Sequence, residues 1–118
     1  MEEVYEALCT LRAPLQQGEY DLHRLVMDAL ERAAIPYAHE VRLAPRCRID
    51  LMCGRGGSEG KRGAGDKAGV MRQLTRYAAC EQVQSLILVT EKTVPVPRML
   101  CGKPVRLLCL NRLWGIAL

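Results

Sequence analysis

The segment at residues 83–90, VQSLILVT, constrains the fold of this chain more than any other part of the sequence. It is a nearly continuous apolar run of strand length, and such runs are typical of a β-strand that is covered on both faces. Along the chain, the predicted elements follow the order helix, strand, strand, weak strand, helix, strand. The sequence therefore predicts an α/β fold in which a mixed β-sheet is flanked by helices.

The rest of the chain supplies the helices and strands that such a sheet needs. Helical spacing of apolar residues predicts two amphipathic helices, at residues 19–34 and 66–80. Short apolar segments bounded by turn residues predict a strand hairpin at 37–43 and 47–53 and a last strand at 103–110. We interpret the 118 residues as one domain, 1–118.

The composition excludes several classes of protein. No apolar run reaches the ~18 residues that a membrane span needs, and the acidic start MEEVYEALCT lacks the features of a signal peptide. The sequence therefore predicts a soluble, cytoplasmic protein with no membrane partner. None of the six cysteines forms a CxxC pair, so we expect buried reduced thiols rather than a metal site or a disulfide.

The charges are unevenly distributed along the chain. Residues 1–40 hold eight acids against three arginines, whereas residues 41–80 hold nine basic residues against three acids. A basic middle favours an anionic partner, because Lys and Arg displace the counterions that condense on a phosphate backbone. The alternative is an ordinary solvated surface, and charge alone does not separate the two.

Three polar residues stand out by their positions. Asp50 lies inside an apolar strand segment, and Glu59 and Lys61 alternate with Gly60, so their side chains share one face of an extended strand. If the two strands pair, Asp50 and Glu59 converge on one cation. Carboxylate oxygens are the ligands that Mg²⁺ prefers, and a bound ion activates water for attack on phosphorus. Lys61 is then placed to orient the water or to stabilise charge on the phosphate.

The segment that carries Glu59 and Lys61 is also the richest in glycine. Six of the residues at 54–65 are glycine, a composition that predicts a flexible loop or a weak strand. We expect it to be the most mobile internal segment and to become ordered when metal or DNA binds. The alternatives are a solvated loop, or a degenerate site on a fold that only binds DNA.

Asp50 followed nine residues later by Glu59-Gly60-Lys61 resembles the D…(D/E)-x-K signature of the PD-(D/E)XK nuclease superfamily. Gln73 and Tyr77 fit the Q-x-x-x-Y pattern of its RecB-type members, and Glu19 stands where many members place an additional acid. The order of elements is similar to the family's restriction-endonuclease-like α-β-β-β-α-β core. The resemblance covers roughly residues 19–90.

The resemblance implies a nuclease that hydrolyses DNA with Mg²⁺ or Mn²⁺. It implies metal ligands at Glu19, Asp50 and Glu59, and catalytic assistance from Lys61 and Gln73. The positions that it implies for nucleic-acid binding lie on the second amphipathic helix: Lys67, Arg72, Arg76 and Tyr77. For Tyr77 the alternative is a place in the core. His23 and His39 are interpreted as surface or structural residues, and Trp114 as a packing residue.

A chain of this size leaves no room for a separate specificity domain, so we expect the target to be chosen by DNA structure or by a partner. Small relatives of this fold are often dimers, so a homodimer is possible. The second hypothesis is a catalytically inactive nucleic-acid-binding module on the same fold. The third is a structural or inhibitory factor of a phage or mobile element.

Overall fold

A computed structural model describes residues 1–12, 21–61 and 67–115. In chain order these residues form four helices and six strands: α1 (Glu2–Leu8), α2 (Leu22–Arg32), β1 (Ala38–Ala44), β2 (Cys47–Cys53), β3 (Gly56–Lys61), α3 (Lys67–Ala78), β4 (Ser85–Thr90), β5 (Met99–Leu100), β6 (Lys103–Cys109) and α4 (Leu110–Leu113). The two amphipathic helices, the hairpin and the last strand occur where the sequence predicts them, with shifts of a few residues at their ends.

The six strands form one mixed sheet in the order β1-β2-β3-β4-β6-β5. The hairpin β1–β2 and the pair β2–β3 are antiparallel, whereas β3–β4 and β4–β6 are parallel. Helix α3 connects the parallel strands β3 and β4, as a parallel connection requires. None of the helices in the described ranges is long and apolar enough to cross a membrane.

Strand β4 lies inside the sheet and is buried along its whole length. Its side chains alternate between two hydrophobic clusters. Ile87 and Val89 pack with residues of α1 and α2 on one face of the sheet, and Leu86 and Leu88 pack with residues of α3 on the other. The prediction of a mixed sheet flanked by helices is therefore confirmed, because the apolar run has helices on both faces.

The glycine-rich strand β3 is the largest difference from the sequence-based expectation. It is paired with β2 on one side and with β4 on the other, so it lies inside the sheet. A Cβ atom added at Gly57 would lie 2.5 Å from Ile49 Cδ1 and 3.0 Å from Leu86 Cδ2. A side chain at residue 57 would therefore force the side chains that pack over the strand to shift. The flexible loop that composition alone predicts is wrong for residues 56–61, which form a paired strand, whereas residues 62–66 lie outside the described ranges.

The structure also bears on the predictions for Glu19, Trp114 and the cysteines. Helix α2 begins at Leu22, with the Asp21 side chain accepting a hydrogen bond from Arg24 N at 3.3 Å, so Glu19 precedes the helix and lies outside the described residues. Trp114 packs against the α1–α2 cluster and its Nε1 donates to Leu11 O at 2.9 Å, as expected of a packing residue. All six cysteines are free thiols, but Cys9 and Cys101 are exposed rather than buried.

Candidate functional site

The two acids of the sequence pattern meet where strands β2 and β3 stop pairing. The regular register of the two strands ends at Leu51–Ser58. One position further along, Asp50 N donates to Glu59 Oε1 at 3.2 Å, and Gly60 N donates to Asp50 Oδ2 at 2.9 Å. Each carboxylate thus binds a backbone amide of the opposite strand, in the place that a backbone carbonyl would take in a continuing ladder.

The two acids contact different helices, which the sequence does not predict. Asp50 reaches α2 and Glu59 reaches α3, as described below. The reason is a break in the alternation of β2: Ile49 and Met52 both pack in the α3 cluster, whereas Leu51 packs in the α2 cluster. Asp50 stands within this irregular stretch. The carboxylates therefore converge through the backbone of the strand end and not by sharing one face of the sheet.

Glu59 is the buried member of the pair, with 4% of its surface exposed. Burial, together with repulsion from Asp50, raises the pKa of its carboxyl to about 7, although the Asp50 amide and Lys61 act in the opposite direction. Lys61 Nζ lies 3.7 Å from Glu59 Oε2, so the alternation of these two residues does place them on one side of β3. The ionised form of Glu59 is therefore disfavoured at this site, chiefly by burial, and Lys61 offsets this only in part.

Tyr77 connects helix α3 to this site from inside the protein. It is 2% exposed, its hydroxyl donates to Arg48 O at 2.9 Å, and it accepts from Gln73 Nε2 at 2.8 Å. Burial and the neighbouring Glu59 carboxylate, to which it is hydrogen-bonded, raise the pKa of Tyr77. The structure therefore corrects the prediction that Tyr77 binds nucleic acid, because a buried ring cannot stack on a base. Gln73 is half-buried and faces Tyr77.

His23 is the site residue that sequence reasoning missed. It lies on α2 with its Nε2 atom 3.1 Å from Asp50 Oδ2, close enough for a hydrogen bond. Gly60 allows this approach, since a Cβ atom there would lie 3.0 Å from Leu22 Cδ2 and 3.8 Å from His23 Cδ2. A signal was available: His23 follows Glu19 by four residues, and residues at that spacing share a helix face. The predicted helix from residue 19, if it turned Glu19 towards the acids, would turn His23 towards them as well.

The three basic residues predicted to contact nucleic acid lie on the outer side of α3. Lys67, Arg72 and Arg76 are all exposed. A shallow groove of about 510 Å³ runs along this helix, lined by Met71, Arg72, Thr75, Arg76 and Ala79. Helix α3 therefore has one side that faces Glu59 through Gln73 and Tyr77, and another side that presents arginines to solvent.

The donor set bears on the metal that the resemblance implies. Asp50 and Glu59 supply carboxylate oxygens, which suit Mg²⁺ and Mn²⁺, and His23 supplies a nitrogen beside Asp50. Within the described ranges, no group of three or more His, Cys, Asp or Glu side chains is arranged to hold a metal ion. The described site thus offers two acidic ligands, and Glu19 lies outside the described residues.

Comparison of the chain with protein-family models, with curated proteins and with solved structures found no match.

Proposed function

We propose that this chain is a metal-dependent nuclease of the PD-(D/E)XK type, with a restriction-endonuclease-like fold, that hydrolyses phosphodiester bonds of DNA. One observation carries the proposal. Asp50 and Glu59, nine residues apart in sequence, each bind the backbone of the other's strand, and Lys61 lies beside Glu59. The acid, acid-x-Lys pattern of the sequence is thus a cluster in space.

The site fits a hard divalent cation by its charge and its ligand type. Burial of Glu59, together with repulsion from the neighbouring Asp50 carboxylate, raises the pKa of Glu59 to about 7. A cation relieves that repulsion. Mg²⁺ is commonly held by one or two carboxylates, with water and substrate phosphate as the other ligands. Asp50 and Glu59 would hold the ion, with Glu19 as a further proposed ligand.

The residues of the chain have separate parts in the reaction. A bound Mg²⁺ or Mn²⁺ supplies a Lewis acid and a more acidic water at the phosphate. Asp50 and Glu59 fix the position of that charge, and His23 holds the Asp50 carboxylate from α2. Lys61 carries an ammonium group that stabilises negative charge on the phosphoryl oxygens. Gln73 orients the Tyr77 hydroxyl, which in turn supports Glu59.

Binding to DNA is assigned to the exposed side of α3. Arg72 and Arg76 line its groove and Lys67 begins the helix. Positive side chains on one helix can follow a phosphate backbone without reading the sequence. This favours a nuclease that is directed to its target by DNA structure or by a partner.

The decisive test compares cleavage and binding in one variant. Labelled linear, nicked, branched and single-stranded DNAs are incubated with the protein and Mg²⁺, Mn²⁺ or EDTA. We expect metal-dependent cleavage by the wild type and none by Asp50→Asn. Without metal, Asp50→Asn should bind DNA as well as the wild type or more tightly, because one negative charge near the phosphate is gone; close like charges repel by about 1 kcal/mol in water.

The matched control is Asp28→Asn. Asp28 is an acid on α2 whose only described ion pair is the exposed contact with Arg24 at 4.0 Å, away from Asp50. It should cleave at the wild-type rate. Wild-type cleavage by Asp50→Asn would remove Asp50 from the mechanism. DNA binding without cleavage by the wild-type protein, with every metal and substrate, would favour the non-catalytic module, and neither binding nor cleavage would favour the structural or inhibitory factor.

A further inference from the structure

The end of helix α3 is fastened to the β1–β2 hairpin by contacts on either side of two cysteines. The Tyr77 hydroxyl donates to Arg48 O at 2.9 Å, and Gln82 Nε2 donates to Leu43 O at 3.2 Å. Cys80 lies between Tyr77 and Gln82 on one segment. Cys47 lies between Leu43 and Arg48 on the other. The two contacts therefore place the cysteines opposite each other.

The two thiols are neighbours at one hydrophobic cluster. Cys47 is 4% exposed and belongs to the hydrophobic cluster under α3, and Cys80 packs against the same cluster. The pKa of the Cys47 thiol is raised, mainly by burial and to a smaller extent by the neighbouring Cys80 thiol. Cys80 is half-buried, and its Sγ donates to Arg76 O at 3.4 Å. One member of the pair is thus enclosed and the other is open to small molecules.

We propose that Cys47 and Cys80 form a reversible intramolecular disulfide when the protein meets a peroxide. Such a bridge would close the segment from 47 to 80, which contains Asp50, Glu59 and Lys61. It would fix the end of α3 on the start of β2, one residue away from the backbone oxygen that Tyr77 binds. The inference is independent of the proposed nuclease activity.

The chemistry divides between the two thiols according to their exposure. The Cys80 thiolate attacks one oxygen of hydrogen peroxide, the O–O bond breaks, and hydroxide leaves and is protonated to water. The product is a sulfenic acid on Cys80. The Cys47 sulfur then attacks the Cys80 sulfur, the S–S bond forms, and the hydroxyl group leaves with the Cys47 proton as a second water. Two thiols are oxidised by two electrons and one peroxide is reduced, and an external dithiol reverses the change.

The position of the bond is tested by mass spectrometry on the folded full chain. After brief treatment with hydrogen peroxide, the mass of the intact protein should fall by about 2 Da, the loss of two hydrogens. The remaining thiols are then alkylated before digestion. Trypsin should release a reducible linked peptide that joins Cys47-Arg48 to the peptide beginning at Tyr77. Cys9 and Cys101, which are exposed, should be recovered in alkylated form.

The effect on stability is tested with two variants. Closing a loop of this length should raise the melting temperature of the oxidised wild type by about 10 °C, and reductant should abolish the rise. Cys80→Ser should show neither the linked peptide nor the rise, and it removes a half-buried thiol, so it should fold. Cys9→Ser, at an exposed thiol in α1's C-terminal turn, is the matched control and should behave as the wild type.

Three results would overturn the proposal. The first is peroxide-treated protein that remains folded with Cys47 and Cys80 both still reduced. The second is a linked peptide that joins other cysteines. The third is an oxidised Cys80 that proceeds to sulfinic acid while Cys47 stays free, since the resolving thiol would then be out of reach.

Discussion

A side chain at Gly57 provides the sharpest test of the buried glycine strand. In Gly57→Ala the new methyl group would lie 2.5 Å from Ile49 Cδ1 and 3.0 Å from Leu86 Cδ2, so the packing above β3 must shift. The backbone at Gly57 needs no positive φ. Without the contact, alanine would therefore stabilise the protein by about 0.4–1 kcal/mol, because it reduces the entropy of the unfolded chain. The contact decides the sign of the effect.

The expected magnitude follows from these opposing effects. Inserting one carbon into a packed core costs about 1–3 kcal/mol, so the net loss in the free energy of unfolding should be about 1–2 kcal/mol. The variant Ile49→Val removes the Cδ1 atom that the methyl group meets, and alone it should cost about 1 kcal/mol. In the double variant the closest overlap is absent. It should therefore be more stable than the sum of the single effects predicts, by about 1 kcal/mol.

Urea unfolding of the four proteins gives this cycle directly. Gly56→Ala is the control on the same strand, because its Cβ would meet only the Ser85 Oγ at 3.3 Å and the Cys53 carbonyl oxygen at 3.5 Å. It should change stability by less than about 0.5 kcal/mol. A Gly57→Ala variant that is as stable as the wild type, with no coupling to Ile49→Val, would refute the argument that packing selects glycine in β3.

Two further predictions concern the neighbours of the site. Because the folded-state pKa of Glu59 is raised from 4.5 to about 7, its contribution to stability is full below pH 4.5 and is lost as the pH rises through 7. Urea unfolding in EDTA should show this loss in the wild type and in the control Glu40→Gln, at an exposed acid, and a smaller loss in Glu59→Gln. An equal dependence of the free energy of unfolding on pH in all three proteins would contradict the prediction. Tyr77→Phe should lower the free energy of unfolding by about 1–3 kcal/mol, because Arg48 O and Gln73 lose a buried hydrogen-bond partner. The control Tyr37→Phe removes a hydroxyl that binds Glu31 at an exposed position, so it should change the free energy of unfolding little. Similar effects of the two variants would show that the buried hydrogen bonds of Tyr77 do not stabilise the fold.

The sequence predicts the sheet better than it predicts the site. The apolar run in β4 is informative because each of its residues is buried, so its own composition reports its environment. Strand β3 is the opposite case. Gly57 is favoured by the packing of Ile49 and Leu86, which are eight or more residues away, and composition alone cannot distinguish such a glycine from one in a loop.

The site shows the same limit. The spacing of Glu59 and Lys61 predicts correctly that they share one side of their strand, because alternation along a strand is a local rule. That Asp50 contacts His23 depends on the irregular stretch of β2 and on how closely α2 approaches β3. Neither follows from periodicity. For Tyr77 the sequence allows two interpretations, a core residue and a ligand contact. Only the structure distinguishes them, because it shows that 2% of Tyr77 is exposed.

The glycine between Glu59 and Lys61 has a consequence for how this site can vary. At residue 60 the strand has no side chain, and Leu22 and His23 of α2 pack directly against its backbone. A methyl group there would lie 3.0 Å from Leu22 Cδ2, so the Leu22 side chain would have to give by a few tenths of an ångström. A larger side chain would also press on His23, which contacts Asp50 at 3.1 Å. Residue 60 therefore offers a means of tuning the support of Asp50 in graded steps while every polar group of the site keeps its identity.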